Sequence, residues 1–184
     1  TQEESIIEIL PKNAKIENML NKTSIIQALN NTYIENMKDK STINNMWDNA
    51  IINNARNNAY IETMSNHAAI RTMTDFSKVK EMRNSSIINY MWNNASIGKM
   101  SNDTIVFNME TQAHIDSMFD DAVVKHMKPD TKIKEIHDNV SILDMRNNTE
   151  ISHVCKRCVS KIKGRRLIAV NKQTMKTRFY DKIK

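Results

Sequence analysis

The feature that most constrains this chain is a strict count of nine. Written in blocks of nine from Thr1, the sequence runs TQEESIIEI, LPKNAKIEN, MLNKTSIIQ, ALNNTYIEN and onward through seventeen blocks to MRNNTEISH, ending at His153 without an insertion. The seventh position is Ile or Val in every block, from Ile7 to Ile151. The fifth is Ala, Ser or Thr in all but Val140, the first is Met in twelve blocks, and the third is mostly Asn or Asp. Self-similarity of this kind outranks other sequence signals, because each unit is one structural step.

The steps are not helical. At about 100° per residue, nine residues advance about 900°, so successive units would face opposite ways on one helix. The interior would also be filled with Asn, Ser and Thr, mediocre helix formers, with no caps to punctuate it. A strand suits the pattern. The fifth and seventh positions share one face of an extended segment, with an outward residue between them. The Asn and Asp residues just before them tolerate left-handed backbone, which lets the chain turn repeatedly with only two glycines. Met at the block start fills the corner of the core, where an unbranched thioether adapts to irregular gaps.

Nine residues are too few to close a coil around a filled core, so two blocks, eighteen residues, make one flattened coil. The sixth, outward position supports this. In even blocks it reads Lys15, Tyr33, Ile51, Ala69, Ile87, Ile105, Val123, Ser141; in odd blocks Ile6, Ser24, Thr42, Tyr60, Lys78, Ser96, His114, Lys132, Glu150. One face is apolar and the other polar. The expected fold is all-β: a parallel β-solenoid (β-helix) of nine-residue repeats over 1–153, roughly 40 Å long at about 4.8 Å per coil. The start at Thr1 is either native or cut from more repeats, and the lack of a cap before the first block points to the second.

Charge divides the chain near residue 153. Residues 154–184 carry eleven Lys or Arg against Asp181 alone, about +10, leaving 16 basic and 20 acidic groups, net −4, in the blocks. This non-repeat segment reads as a C-terminal cap, with "RRLIAV" as a strand that covers the open solenoid end and Phe179 and Tyr180 packing nearby. Uncovered ends invite stacking. Its cations, Lys156, Arg157, Lys161, Lys163, Arg165, Arg166, Lys172, Lys176 and Arg178, are also candidate anion-binding residues for nucleic acid. A third option is docking on the acidic solenoid of a neighbouring copy.

No apolar run approaches the ~18 residues of a membrane helix, and two cysteines form no disulfide framework. The expectation is a cytoplasmic or virion-associated chain that does not enter the membrane.

The blocks, in units such as "NNASIGKM", resemble uncharacterised nonapeptide-repeat proteins of bacteria and their phages. "NNAYI" (57–61) and "NNASI" (93–97) are loosely similar to pentapeptide-repeat proteins, which are also square-sided β-solenoids. Some of those imitate DNA through acidic faces, which a net charge of −4 does not match. Calcium-binding nonapeptide β-rolls differ in needing paired glycines and an Asp two before the apolar residue, so calcium in the coils is not expected.

Four candidate sites follow. The stripe Tyr33, Ile51, Ala69, Ile87, Ile105, Val123 is a candidate interface for a second copy or another protein; the alternative is that β-branched residues merely favour strands, or that the tail folds over them. The Asn and Asp residues at the third and fourth positions read as hydrogen-bonded ladders, such as Asn13, Asn31, Asn49, His67, Ser85, Asp103, Asp121, Asn139. Asp103 and Asp121, with Asp116 and Glu110, are the carboxylates that a tailspike-like polysaccharide-binding or -cleaving β-helix would use. His153, Cys155 and Cys158 have zinc-type spacing but lack a fourth ligand unless His137 or His126 supplies it. With no nucleophile–base pair, glycine-rich phosphate loop or complete metal set, no cofactor and no catalytic residue are expected. The reading is a non-enzymatic rigid scaffold.

Overall fold

The computed structural model describes residues 4–137, 139–146, 148–154 and 168–169. Among them are seventeen strands, from β1 (Ile6–Ile9) to β17 (Glu150–Val154), each starting nine residues after the last, and a two-residue strand β18 (Ile168–Ala169). There is no helix among the described residues, and so none long and apolar enough to cross a membrane.

The odd-numbered strands, with β18, form a ten-stranded sheet; the even-numbered strands form one of eight. Every pairing is parallel, and each links residues eighteen apart, as Ile25 to Ile43 and Ile88 to Val106. One coil is therefore eighteen residues, one strand in each sheet, and the chain is a parallel β-solenoid of about eight turns. The two sheets enclose a single core. Ile25, Ile43, Ile52, Ile70, Ile97 and Ile133 are fully shielded, as are the methionines between them, such as Met64, Met91 and Met118. Each such side chain contributes about 1.5–3 kcal/mol through its removal from water.

The turns show why so few glycines suffice. In most units the third and fourth residues are both left-handed, as Asn30 and Asn31 (φ 54° and 61°) or Asn93 and Asn94 (48° and 64°). Two consecutive residues of positive φ make the primed type I turn, in which Asn and Asp are the non-glycine residues of choice. The turn closes with the fifth-residue N–H donating to the second-residue carbonyl, as Ala50 to Trp47 at 3.1 Å. The turns are also tied along the solenoid axis, because the fourth-residue N–H donates to the third-residue carbonyl of the next coil: Asn31 to Asp48 at 3.0 Å, Ser85 to Asn102 at 3.0 Å. Strands and corners alike are thus hydrogen-bonded to the coil above, which satisfies backbone groups that a loop would leave to water.

At the C-terminal end, Ile168 and Ala169 pair in parallel with Glu150 and Ile151. The remainder of the expected capping segment, with Phe179 and Tyr180, lies outside the described residues.

Candidate interaction surface

The alternation of sixth positions places all six stripe residues on the outer face of the eight-stranded sheet. Tyr33 pairs with Ile51, Ile51 with Ala69, Ala69 with Ile87, Ile87 with Ile105 and Ile105 with Val123, one strand to the next. The result is an unbroken apolar column. Each of the six is partly buried, because its neighbours above and below cover its flanks. Parallel to it runs the row of eighth-position residues, Glu17, Glu35, Asn53, Arg71, Asn89, Phe107, Lys125 and Leu143. Glu35 accepts from the Tyr33 hydroxyl and, at 2.6 Å, from Asn53 Nδ2. These bonds to the charged form hold its carboxyl below the usual range. Lys125 Nζ sits 3.9 Å from the Phe107 ring centroid, which holds its alkyl stem against the sheet.

The ten-stranded sheet presents a different surface. Thr42 donates to Ser24 at 3.0 Å, Tyr60 donates to Glu62, Lys80 pairs with Glu62, and Lys132 pairs with Glu150 at 2.8 Å. Burial and then the Glu62 hydrogen bond push the Tyr60 hydroxyl up to about 12. The Glu62 and Glu150 carboxylates are thus engaged within this face, which also exposes Ile6, Ile9 and Ile26 at its N-terminal end.

Both turn positions contribute to ladders along the solenoid axis. In the fourth-position row, Asn31 donates to Asn13 at 3.4 Å. The longer chain of side-chain bonds is one residue earlier, where Asn66 reaches Asp48 at 3.3 Å, Asn84 reaches Asn66 at 3.4 Å and Asn102 reaches Asn84 at 3.2 Å. The direction of the side chains in two successive left-handed residues decides which of the two rows can stack.

The four carboxylates do not converge. Asp103 and Asp121 lie at the tips of successive turns, Asp116 is on the ten-stranded sheet, and Glu110 is at the opposite edge, paired with Lys128. The two histidines considered as a fourth zinc ligand have other neighbours. His126 Nδ1 is 3.4 Å from Asp144, and His137 stacks on Phe119 with ring centroids 4.5 Å apart. Cys155 and Cys158 lie outside the described residues, as do the nine candidate anion-binding cations, Lys156 to Arg178.

One feature escaped the reading of the sequence. At the edge where the eight-stranded sheet turns toward the other, Thr72, Tyr90, Met91, Trp92 and Glu110 line an open cleft of about 200 Å³. Tyr90 and Trp92 are exposed, and Phe76 stands exposed on a neighbouring turn. The signal was present in "NYMW" (89–92), where Tyr90 and Trp92 fall two residues apart at the ninth and second positions of adjoining units.

No family of known proteins matches this chain, and neither a curated protein nor a solved structure matches it.

Proposed function

We propose that the chain is a non-catalytic rigid scaffold that associates through the outer face of its eight-stranded sheet, with a second copy or another protein. The observation that carries this is the unbroken apolar column from Tyr33 to Val123, set against a second face on which Lys80 pairs with Glu62 and Lys132 with Glu150. Contiguous apolar surface on an otherwise polar molecule is the usual mark of an interface. The resemblance of its units to nonapeptide repeats of bacteria and phages supports a bacterial or phage setting, in the cytoplasm or on a virion. Sedimentation of the protein and of Ile51→Lys tests the reading, with circular dichroism as the check on folding. An assembly lost in the variant supports it; identical sedimentation of both as monomers refutes it.

Two other observations favour further readings. The charge of about +10 over 154–184 suits a phosphate-binding arm; salt-sensitive binding of labelled DNA or RNA, lost in a chain ending at His153, supports that role, and salt-insensitive or absent binding removes it. The Tyr90–Trp92 cleft suits the flat apolar face of a sugar ring, with Glu110 and Thr72 as polar flanks. Quenching of Trp92 fluorescence by oligosaccharides supports that reading, and unchanged emission across a glycan panel counts against it.

A further inference from the structure

We infer that the partner on this face is a second copy of the chain, packed with its solenoid axis antiparallel, about a two-fold axis that runs along the strands and passes between those of Ala69 and Ile87. The inference rests on the reading that this face is an interface, and it adds which molecule occupies it and in what register.

A two-fold axis lying between two sheet faces has two simple orientations. Along the solenoid axis, it preserves coil order, so each coil faces its own counterpart. Along the strands, it preserves strand direction and inverts coil order. Sixth positions then face sixth positions and eighth face eighth. Centred on the column, the second arrangement sets Tyr33 opposite the partner's Val123, Ile51 opposite the partner's Ile105, and Ala69 opposite the partner's Ile87.

Charge distinguishes the two. Along the eighth-position row the acids, Glu17 and Glu35, lie toward the N-terminal end, and the cations, Arg71 and Lys125, lie beyond them. In the sixth-position column the charged residue is Lys15, on the first strand of the sheet. Preserved coil order brings acidic end to acidic end and basic to basic, which repels. Inverted order places Glu35, on the strand of Tyr33, opposite the partner's Lys125, on the strand of Val123, and symmetry makes this pair twice. Arg71 meets the partner's Asn89, Glu17 the partner's Leu143 at the rim, and Lys15 the partner's Ser141. No like charges are opposed.

Shape points the same way. Ala69 is the one small residue in a column of large ones. Preserved order, with the axis lying over the column, would set Ala69 against the partner's Ala69 and Tyr33 against the partner's Tyr33, a gap beside a bulge. Inverted order seats the Ile87 side chain over Ala69 on both sides of the axis. Large facing small is how packed layers interdigitate.

The area is sufficient for a weak dimer. Eight strands spaced about 4.8 Å apart, each five residues long at about 3.3 Å, present about 600 Å² per copy. The total of about 1,200 Å² is at the lower end of specific interfaces, so association is concentration-dependent and sensitive to single changes.

The test is sedimentation equilibrium on the full chain and three groups of variants, each with its thermal melt recorded. Lys125→Glu and Glu35→Lys singly should each raise the dimer Kd about tenfold, and the two combined in one chain should restore it to within about threefold of the parent. Ala69→Ile should weaken the dimer, since the partner's Ile87 already occupies that space; in the parallel arrangement it would fill a gap and tighten it. Loss of the dimer in Ile51→Lys together with unchanged Kd in the charge variants would overturn the antiparallel register while leaving the face as the interface. A double swap no better than the single variants would overturn it equally. A parent chain that stays monomeric throughout the concentration range would remove both the interface and its register.

Discussion

Gly98 lies directly above the backbone of Lys80, one coil earlier, and a β-carbon at Gly98 would fall 2.7 Å from the Lys80 carbonyl oxygen. Backbone, unlike the tip of a side chain, cannot swing aside. Glycine in a strand is otherwise a weakness, and here it marks a close approach of two strands. Gly98→Ala should therefore destabilise the protein by about 1–3 kcal/mol, read as a lower urea midpoint. An unchanged midpoint would mean that the two strands can part at no cost.

The fifth-position hydroxyls divide into two groups. Ser86 donates to the Arg83 carbonyl at 2.9 Å and so braces its own turn. Ser77 is equally buried, but its hydroxyl finds no partner among the described residues, and it stands between Ala59 and Ala95 of the adjacent coils. An unsatisfied buried hydroxyl is a cost that alanine removes. Ser77→Ala should stabilise by about 1 kcal/mol and Ser86→Ala should destabilise by about the same amount. Equal effects in chemical denaturation would show that the Ser86 bond contributes nothing.

Thr111 occupies a left-handed turn position with φ 40°. A β-branched residue is poorly suited to that region, where Asn is tolerated. One coil earlier the equivalent residue is Asn93, which donates to Asp75 at 3.3 Å. Thr111→Asn both relieves the backbone and extends that ladder. Its expected gain is about 0.5–1 kcal/mol, seen as a rise in Tm; a fall would show that the threonine methyl packs more usefully than the turn chemistry implies.

Acid should weaken the ion pairs of the polar face, as it does the bonds to the Glu35 carboxylate on the other. Lys80 and then Tyr60 hold the Glu62 carboxyl below its usual value of 4.5, and Lys132 and then Ser152 do the same for Glu150. Carboxyls with depressed folded-state values contribute stability that is complete above 4.5 and is lost as pH falls through those lower values. Both groups are largely solvated, so the loss is small. A Tm that declines below about pH 4.5, and declines less in Glu62→Gln, is the expected result. A flat profile down to about pH 3 would show that these pairs do not contribute.

How much of this was legible in the sequence depended on how strictly each position was restricted. Ile or Val at every seventh position and Ala, Ser or Thr at the fifth left little freedom for the core, so the solenoid and its eighteen-residue coil could be read directly. The contrast between Ile87 and Lys78 at sixth positions separated the two faces. The ladder was harder, because Asn and Asp crowd both the third and fourth positions. Only the backbone direction in consecutive left-handed residues puts Asn66, Asn84 and Asn102 in line. The Tyr90–Trp92 cleft was missed because Tyr90 is the one aromatic residue at a ninth position, and a periodic reading averages it away. The close approach at Gly98 has no sequence signature beyond the glycine itself.

Parallel pairing at a constant spacing of eighteen has a consequence for how the chain folds. Sheet proteins are slow as a rule because their strands must find partners far along the chain. Here every strand meets one only eighteen residues away, about a tenth of the chain's 184, a separation typical of helical bundles. Closing so short a segment costs little entropy, and each coil formed offers the next a ready edge. The molecule can therefore assemble as a zipper from any coil outward, an all-β protein with the folding kinetics of a local one.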